Sequence, residues 1–219
     1  DRSVSRGLGD VYKRQVYDFH FEFHLAEHCN LNCIGCTHFS PLAEPEFLEV
    51  EDFRNDIERL SYLTGGNARF INLLGGEPLL HPEINSFFKI AREYFPEAKI
   101  SIVTNGILLP QMDNCFWTSC RENKIVIAVT EYPIGFDYLS IRNKIRNENI
   151  EFESFSGRQE RYEMWSLFLD ERGLNRPVDN FMKCQRSNAC VFCSHGKLFP
   201  CPTMAVSYTH LRAHETLSD

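Results

Sequence analysis

The chain has 219 residues, of which 43% are hydrophobic and 24% charged, a balance that supports one folded core and excludes a disordered chain. No run approaches the ~18 consecutive apolar residues of a membrane span, and no charged-then-apolar segment opens the chain, so the expected compartment is the cytoplasm and no membrane contact is expected. With 23 Lys and Arg against 30 Asp and Glu the net charge is −7, which argues against a nucleic-acid surface and leaves small molecules or proteins as expected partners.

Strand-like runs alternate with amphipathic stretches along most of the chain. A first strand fits residues 19–25, where Phe19, Phe21 and Phe23 alternate with His20, Glu22 and His24, the pattern of a strand with one covered face. It runs straight into Cys29. A helix fits 50–63, with Phe53, Ile57, Leu60 and Leu63 on its inner stripe and Gly65-Gly66 as the stop. A second strand, 70–74, leads into Gly75-Gly76-Glu77-Pro78. The next helix begins near Pro82, turns Ile84, Phe87, Phe88, Ala91 and Tyr94 inward, and ends at Pro96. A third strand, 100–103, ends in Thr104-Asn105-Gly106. A shorter helix over 112–121, a strand over 125–129, a helix over 137–147 and a strand over 150–155 follow, and 165–169 reads as a sixth strand. From residue 175 onward cysteines replace regular periodicity.

This is the βα alternation of a parallel α/β domain. About 150 residues hold five or six units, too few for the eight of a full barrel, so the expected fold is a partial (β/α)6 TIM-like barrel over residues 16–174 with a short cysteine-rich extension over 175–205. In parallel α/β folds ligands bind at the carboxyl ends of the strands, and there the loops at Cys29–Cys36, Gly75–Pro78 and Thr104–Gly106 should converge.

Seven of the nine cysteines fall into two groups, Cys29, Cys33 and Cys36, then Cys184, Cys190, Cys193 and Cys201; in a reducing compartment such clustering points to metal or iron–sulfur ligation, not disulfides. The first group places three thiolates within eight residues, enough for three corners of a cubane cluster, with the fourth iron left open for a substrate or cofactor. The rival arrangement is a closed zinc site of Cys29, Cys33, Cys36 and His38, which would leave the Gly-Gly-Glu-Pro loop unexplained. Cys115 and Cys120, five apart on a helix, do not share a face and read as packing residues.

Cys29-x3-Cys33-x2-Cys36 after a first strand, with Gly75-Gly76-Glu77-Pro78 after the second, resembles the radical S-adenosylmethionine superfamily. The resemblance implies that Cys29, Cys33 and Cys36 hold a 4Fe-4S cluster whose open iron binds S-adenosylmethionine. It further implies that Gly75, Gly76, Glu77 and Pro78 receive the methionyl ammonium group, with Thr104 and Asn105 near the nucleoside or carboxylate. Glycines let backbone carbonyls approach a cation, and Glu77 can offset its charge. The chain departs from the family at Gly35, where an aromatic residue usually precedes the third cysteine, leaving Ile34 or Phe39 to fill that space.

The second group contains Gly196-Lys-Leu-Phe-Pro-Cys201, with Cys184 twelve positions before Gly196. This resembles the SPASM or twitch extensions of the same superfamily, which implies a second 4Fe-4S cluster held by Cys184, Cys190, Cys193 and Cys201; four cysteines suit zinc equally. The function so implied is reductive cleavage of S-adenosylmethionine and hydrogen abstraction from a peptide, a sugar-derived compound or another small molecule, with electrons from a flavodoxin or ferredoxin. An activating enzyme that installs a glycyl radical and a zinc-stabilised binding protein are the alternatives. No acid or base is needed for the first step, and none is assigned.

Residues 1–15 and 206–219 carry no core pattern. Both strings resemble translated sequencing-adapter tails, so both ends are expected to be non-native or disordered, with the extension cut short.

Overall fold

The computed structural model describes residues 19–34, 36–156, 176, 178–179, 190–200 and 205. The expected strand over 165–169, both terminal strings, and Cys184 and Cys201 lie outside the described residues.

Five strands follow one another as the alternation predicts: β1 (His20–Ala26), β2 (Phe70–Gly75), β3 (Lys99–Thr104), β4 (Ile125–Glu131) and β5 (Phe152–Ser156). Each pairs in parallel with the next. The intervening helices are α1 (Val50–Thr64), α2 (Ile84–Tyr94), α3 (Asn114–Glu122) and α4 (Tyr138–Asn147). Two further strands, β6 (Val191–Ser194) and β7 (Lys197–Phe199), complete an open sheet of order β5-β4-β3-β2-β1-β6-β7. This is the mostly parallel α/β sheet expected of a partial TIM-like barrel.

Local chemistry sets the helix ends. Asp113 and Asp137 accept hydrogen bonds from the Phe116 and Ser140 amides at 2.9 and 3.0 Å and so cap α3 and α4. Gly65 closes α1 with φ 63°, and the Gly66 amide returns to the Ser61 carbonyl. The second of these helices starts two residues after Pro82, which remains in the preceding turn.

One face of the sheet carries the apolar core. Phe21, Phe23 and Leu25 of β1 meet Phe53, Ile57 and Leu60 of α1. The rings of Phe23 and Phe53 stand 4.9 Å apart edge to face, and Phe53 continues to Phe87 at 5.0 Å. Leu63 departs from expectation and is exposed: at about 100° per residue it lies roughly 80° round the helix from Phe53, off the buried stripe. Cys120 is buried and Cys115 exposed, because five helical positions place them on different sides.

The alternation in β1 predicted one covered face, and the structure corrects this. Glu22 and His24 are also buried, because β2 on one side and β6 on the other extend the sheet past β1. Parallel register sets Glu22 beside Asn72 and Phe192; Asn72 Nδ2 donates to Glu22 Oε1 at 3.4 Å and to His20 Nε2 at 2.8 Å. Ser101 and Thr130 share this inner face by register and are buried as well.

The described part of the cysteine-rich segment extends the sheet. β6 lies parallel to β1, with Phe21 opposite Val191 and Phe23 opposite Cys193, and β7 folds back antiparallel through His195 (φ 51°) and Gly196 (φ 70°). Two consecutive positive φ values make the tight hairpin turn that Gly196 suggests. Asp56 of α1 pins the hairpin, its Oδ2 accepting the Gly196 amide at 3.2 Å.

Phe87→Ala, at a fully buried ring touching Phe53 and His81, is expected to cost about 3–5 kcal/mol. Leu139→Ala, at an exposed α4 position, is expected to stay within about 0.5 kcal/mol. Urea unfolding of both variants checks the contrast.

Candidate active site

Because β1, β2 and β3 are parallel and adjacent, the segments after Ala26, Gly75 and Thr104 leave the same edge of the sheet. The Gly75–Pro78 loop lies flush against the strand end that leads to Cys29: the Gly76 amide donates to the Ala26 carbonyl at 2.7 Å and the Glu77 amide to the His28 carbonyl at 3.0 Å. A Cβ at Gly75 would stand 2.2 Å from the Ala26 oxygen, and one at Gly76 2.2 Å from the His28 oxygen. Close approach of two backbones thus requires both glycines, a packing reason that stands beside the access to a cation that the resemblance implies.

Glu77 is completely buried. Its Oε1 accepts the Thr104 hydroxyl at 2.6 Å and the Leu79 amide at 3.1 Å, and its Oε2 accepts the Asn105 amide at 2.9 Å. Burial pushes this carboxyl up to about 7, and the three donors oppose that rise. The side chain therefore ties the second loop to the third. Pro78 is buried and opens a short 3-10 turn, Pro78–Leu80.

Thr104 in turn accepts the Gly106 amide at 3.0 Å, and Asn105 Oδ1 accepts the Ile107 amide at 3.0 Å. That leaves the Asn105 Nδ2 group to face the first loop, where it donates to Asn30 Oδ1 at 2.6 Å and to Cys29 Sγ at 3.8 Å. One chain of contacts, Glu77 to Asn105 to Cys29, joins all three predicted loops.

Cys29, Cys33 and Cys36 are unpaired and partly exposed. Burial pushes the Cys29 thiol up to about 11; the Leu31 amide, 3.3 Å from its sulfur, lowers it, while the charges of Glu77, Cys36 and Cys33 raise it further. Cys33 is also raised, by burial first and Cys36 second. Such thiols ionise when a cation replaces the proton. Ile34 is fully exposed, and Phe39 is half-buried with its backbone in the left-handed region.

Among the described residues no three His, Cys, Asp or Glu side chains converge closely enough to hold a single metal ion. His38 Nδ1 lies 2.6 Å from His24 Nε2, and His24 Nδ1 lies 3.1 Å from Glu27 Oε2. Three corners of a cubane each bind a different iron and need no common point. The donor set therefore fits such a cluster: three free thiols on one loop, with amide donors at one sulfur.

Of the second cysteine group, Cys190 and Cys193 are described and buried. Cys193 sits in the helix-side core and donates to Asp56 Oδ2 at 3.6 Å; burial first and Asp56 second push its thiol up. The neighbouring Phe192 turns to the opposite face, its ring 4.5 Å from His24.

Asn30, His24 and Glu27 were not legible as site residues. Asn30 lies inside the cysteine motif, where its position was the available signal; His24 read as an outward strand residue.

Fold and loop placement are those of an α/β enzyme with its site at the carboxyl edge of a parallel sheet. The Radical SAM superfamily model matches residues 24–116, a stretch holding all three loops. It is similar to the GTP 3',8-cyclase of Sulfurovum sp., 29% identical over 87 residues that make up 40% of this chain and 27% of that protein. It is also similar to the GTP 3',8-cyclase of Chlorobaculum tepidum, 35% identical over 81 residues, 37% of this chain and 24% of that protein. The matched part spans about a quarter of the length of these relatives. In fold it resembles BtrN in complex with AdoMet and 2-DOIA, with a TM-score of 0.61 at 20% identity over 88% of this chain and 80% of that one. BtrN in an open conformation gives 0.54 at 18% identity, over 89% and 78%. The superfamily match implies a 4Fe-4S cluster and S-adenosylmethionine as cofactors.

Gly76→Ala is expected to lose about 1–3 kcal/mol of stability through overpacking against the His28 carbonyl, read by thermal unfolding. Glu77 generates a pH signature. Its carboxyl binds its proton more tightly in the folded chain, at about 7, than at its ordinary value of 4.5, so its contribution to stability falls as pH rises through that window. Urea unfolding from pH 4.5 to 7 should show that fall in the parent and a flatter profile in Glu77→Gln, at an added cost of about 1–3 kcal/mol for the mispaired amide.

Proposed function

We propose that this chain is the catalytic part of an enzyme that cleaves S-adenosylmethionine reductively and uses the product radical to take a hydrogen atom from a substrate. The observation that carries this reading is the contact chain from buried Glu77 through Asn105 to Cys29, which locks the three motif loops into one site.

In this reading Cys29, Cys33 and Cys36 hold the cluster, and Gly75, Gly76 and Pro78 shape the wall beside the methionyl end of the cofactor. Held there, such a cluster would supply the one electron needed for reductive cleavage of the sulfonium, with methionine as one product and the substrate hydrogen ending on 5'-deoxyadenosine. The chain's own task is positional. Glu77 fixes the loop spacing, Thr104 and Asn105 line the nucleoside side, and the packed inner face limits water. A reduced flavodoxin or ferredoxin is the proposed electron source. The substrate is proposed to be a peptide, a sugar-derived compound or another small molecule.

Cys184, Cys190, Cys193 and Cys201 are proposed to hold a second cluster or zinc. Ligation by Cys193 would replace its donation to Asp56, and the metal's positive charge would then have to offset a thiolate beside a carboxylate.

Anaerobic reconstitution with iron and sulfide should give a brown protein that releases 5'-deoxyadenosine from S-adenosylmethionine under reducing conditions, and Cys33→Ala should reduce that release to background. Zinc uptake without such release would defeat the proposal.

A further inference from the structure

We infer that Asn105 is a positioning residue that sets the reduction potential of the cluster through an N–H donated to Cys29, a role that rests on the reading above. The backbone amide and both polar side-chain atoms of Asn105 are committed. Its backbone amide is held by Glu77 Oε2 at 2.9 Å and its Oδ1 by the Ile107 amide at 3.0 Å. The second contact orients the carboxamide: the oxygen faces its own turn, so the NH2 group must face the cysteine loop. There the two hydrogens have two acceptors, Asn30 Oδ1 at 2.6 Å and Cys29 Sγ at 3.8 Å. In the metal-free chain the Cys29 thiol itself points at Asn30 Oδ1, 3.7 Å away. Once ionised, the sulfur has no proton to give and becomes an acceptor only. It then draws on the two donors near it, the Leu31 amide at 3.3 Å and Asn105 Nδ2.

Cys29 is where such a donor has most effect. Its Sγ is the sulfur that both Asn105 Nδ2 and the Leu31 amide reach, at 3.8 and 3.3 Å. An N–H directed at a cluster thiolate stabilises the reduced form, which carries one more negative charge, and so raises the potential. Glu77 acts one step further out, by fixing the backbone from which the amide projects.

The test is an EPR-monitored redox titration of the reconstituted full chain, following the signal that changes when S-adenosylmethionine is added, in the parent, Asn105→Ala and Asn105→Asp. Asn105→Ala removes the donor; Asn105→Asp keeps the oxygen that accepts the Ile107 amide but replaces the donor with a carboxylate. Both potentials should fall, Asp further than Ala, with a loss on the order of tenfold in the reduction equilibrium for Ala, equivalent to about 59 mV for one electron. A potential restored to the parent value in Asn105→Asp would mean that Asn105 serves only its turn and would overturn the inference. So would unchanged potentials in both variants, or failure of both to hold four irons at this site in chains that remain folded by circular dichroism, which would assign Asn105 to assembly. A parent chain that takes up no cluster, or takes it up and releases no 5'-deoxyadenosine, would instead defeat the proposed function.

Discussion

One buried carboxylate holds the active edge of this protein together. Glu77 is fully buried and its oxygens receive one hydroxyl and two backbone amides, from Thr104, Leu79 and Asn105. Removing a carboxylate from water is expensive, and the cost is offset only while all three donors stay in place. The loops after β2 and β3 therefore behave as one unit, and any movement that separates them leaves a buried acceptor unsatisfied.

That coupling reaches the cysteines by way of backbone packing. The two glycines preceding Glu77 let its loop lie against Ala26 and His28, so the start of the cysteine loop is fixed by the same turn that carries the carboxylate. Asn105 closes the circuit from the other side through Asn30 and Cys29. A site that must present a cofactor to a substrate depends on such rigidity, because small errors in placement are costly in rate.

The inner face of β1 has a different character from its helix-facing side. Phe21, Phe23 and Leu25 pack into the aromatic and aliphatic core, while Glu22 and His24 are buried among Asn72, His38 and Phe192. The edge hairpin makes this possible: β6 pairs with β1 and covers what would otherwise be an open flank. Asp56 holds the hairpin through Gly196 and Cys193, so the described part of the cysteine-rich segment completes the sheet that carries the first three cysteines.

Much of this organisation was legible in the residues themselves. Apolar alternation and helical stripes located five strands and four helices, because local periodicity is a backbone property that burial selects one residue at a time. The three cysteines, the Gly-Gly-Glu-Pro turn and the Thr-Asn-Gly turn marked the loops, because chemistry and close backbone approach demand particular residue types there. Sequence periodicity did not reveal which contacts those residues make. The glycines that the resemblance sets beside a cofactor also serve the approach of two chain segments, and the Glu that follows them is an internal tie. Nor did it show that the polar side of β1 is covered, that Leu63 is exposed, or that Asn30 belongs to the site. Each of these depends on which segment of the folded chain lies alongside, a relation between residues far apart in sequence that only parallel pairing of the strands and closure of the hairpin decide.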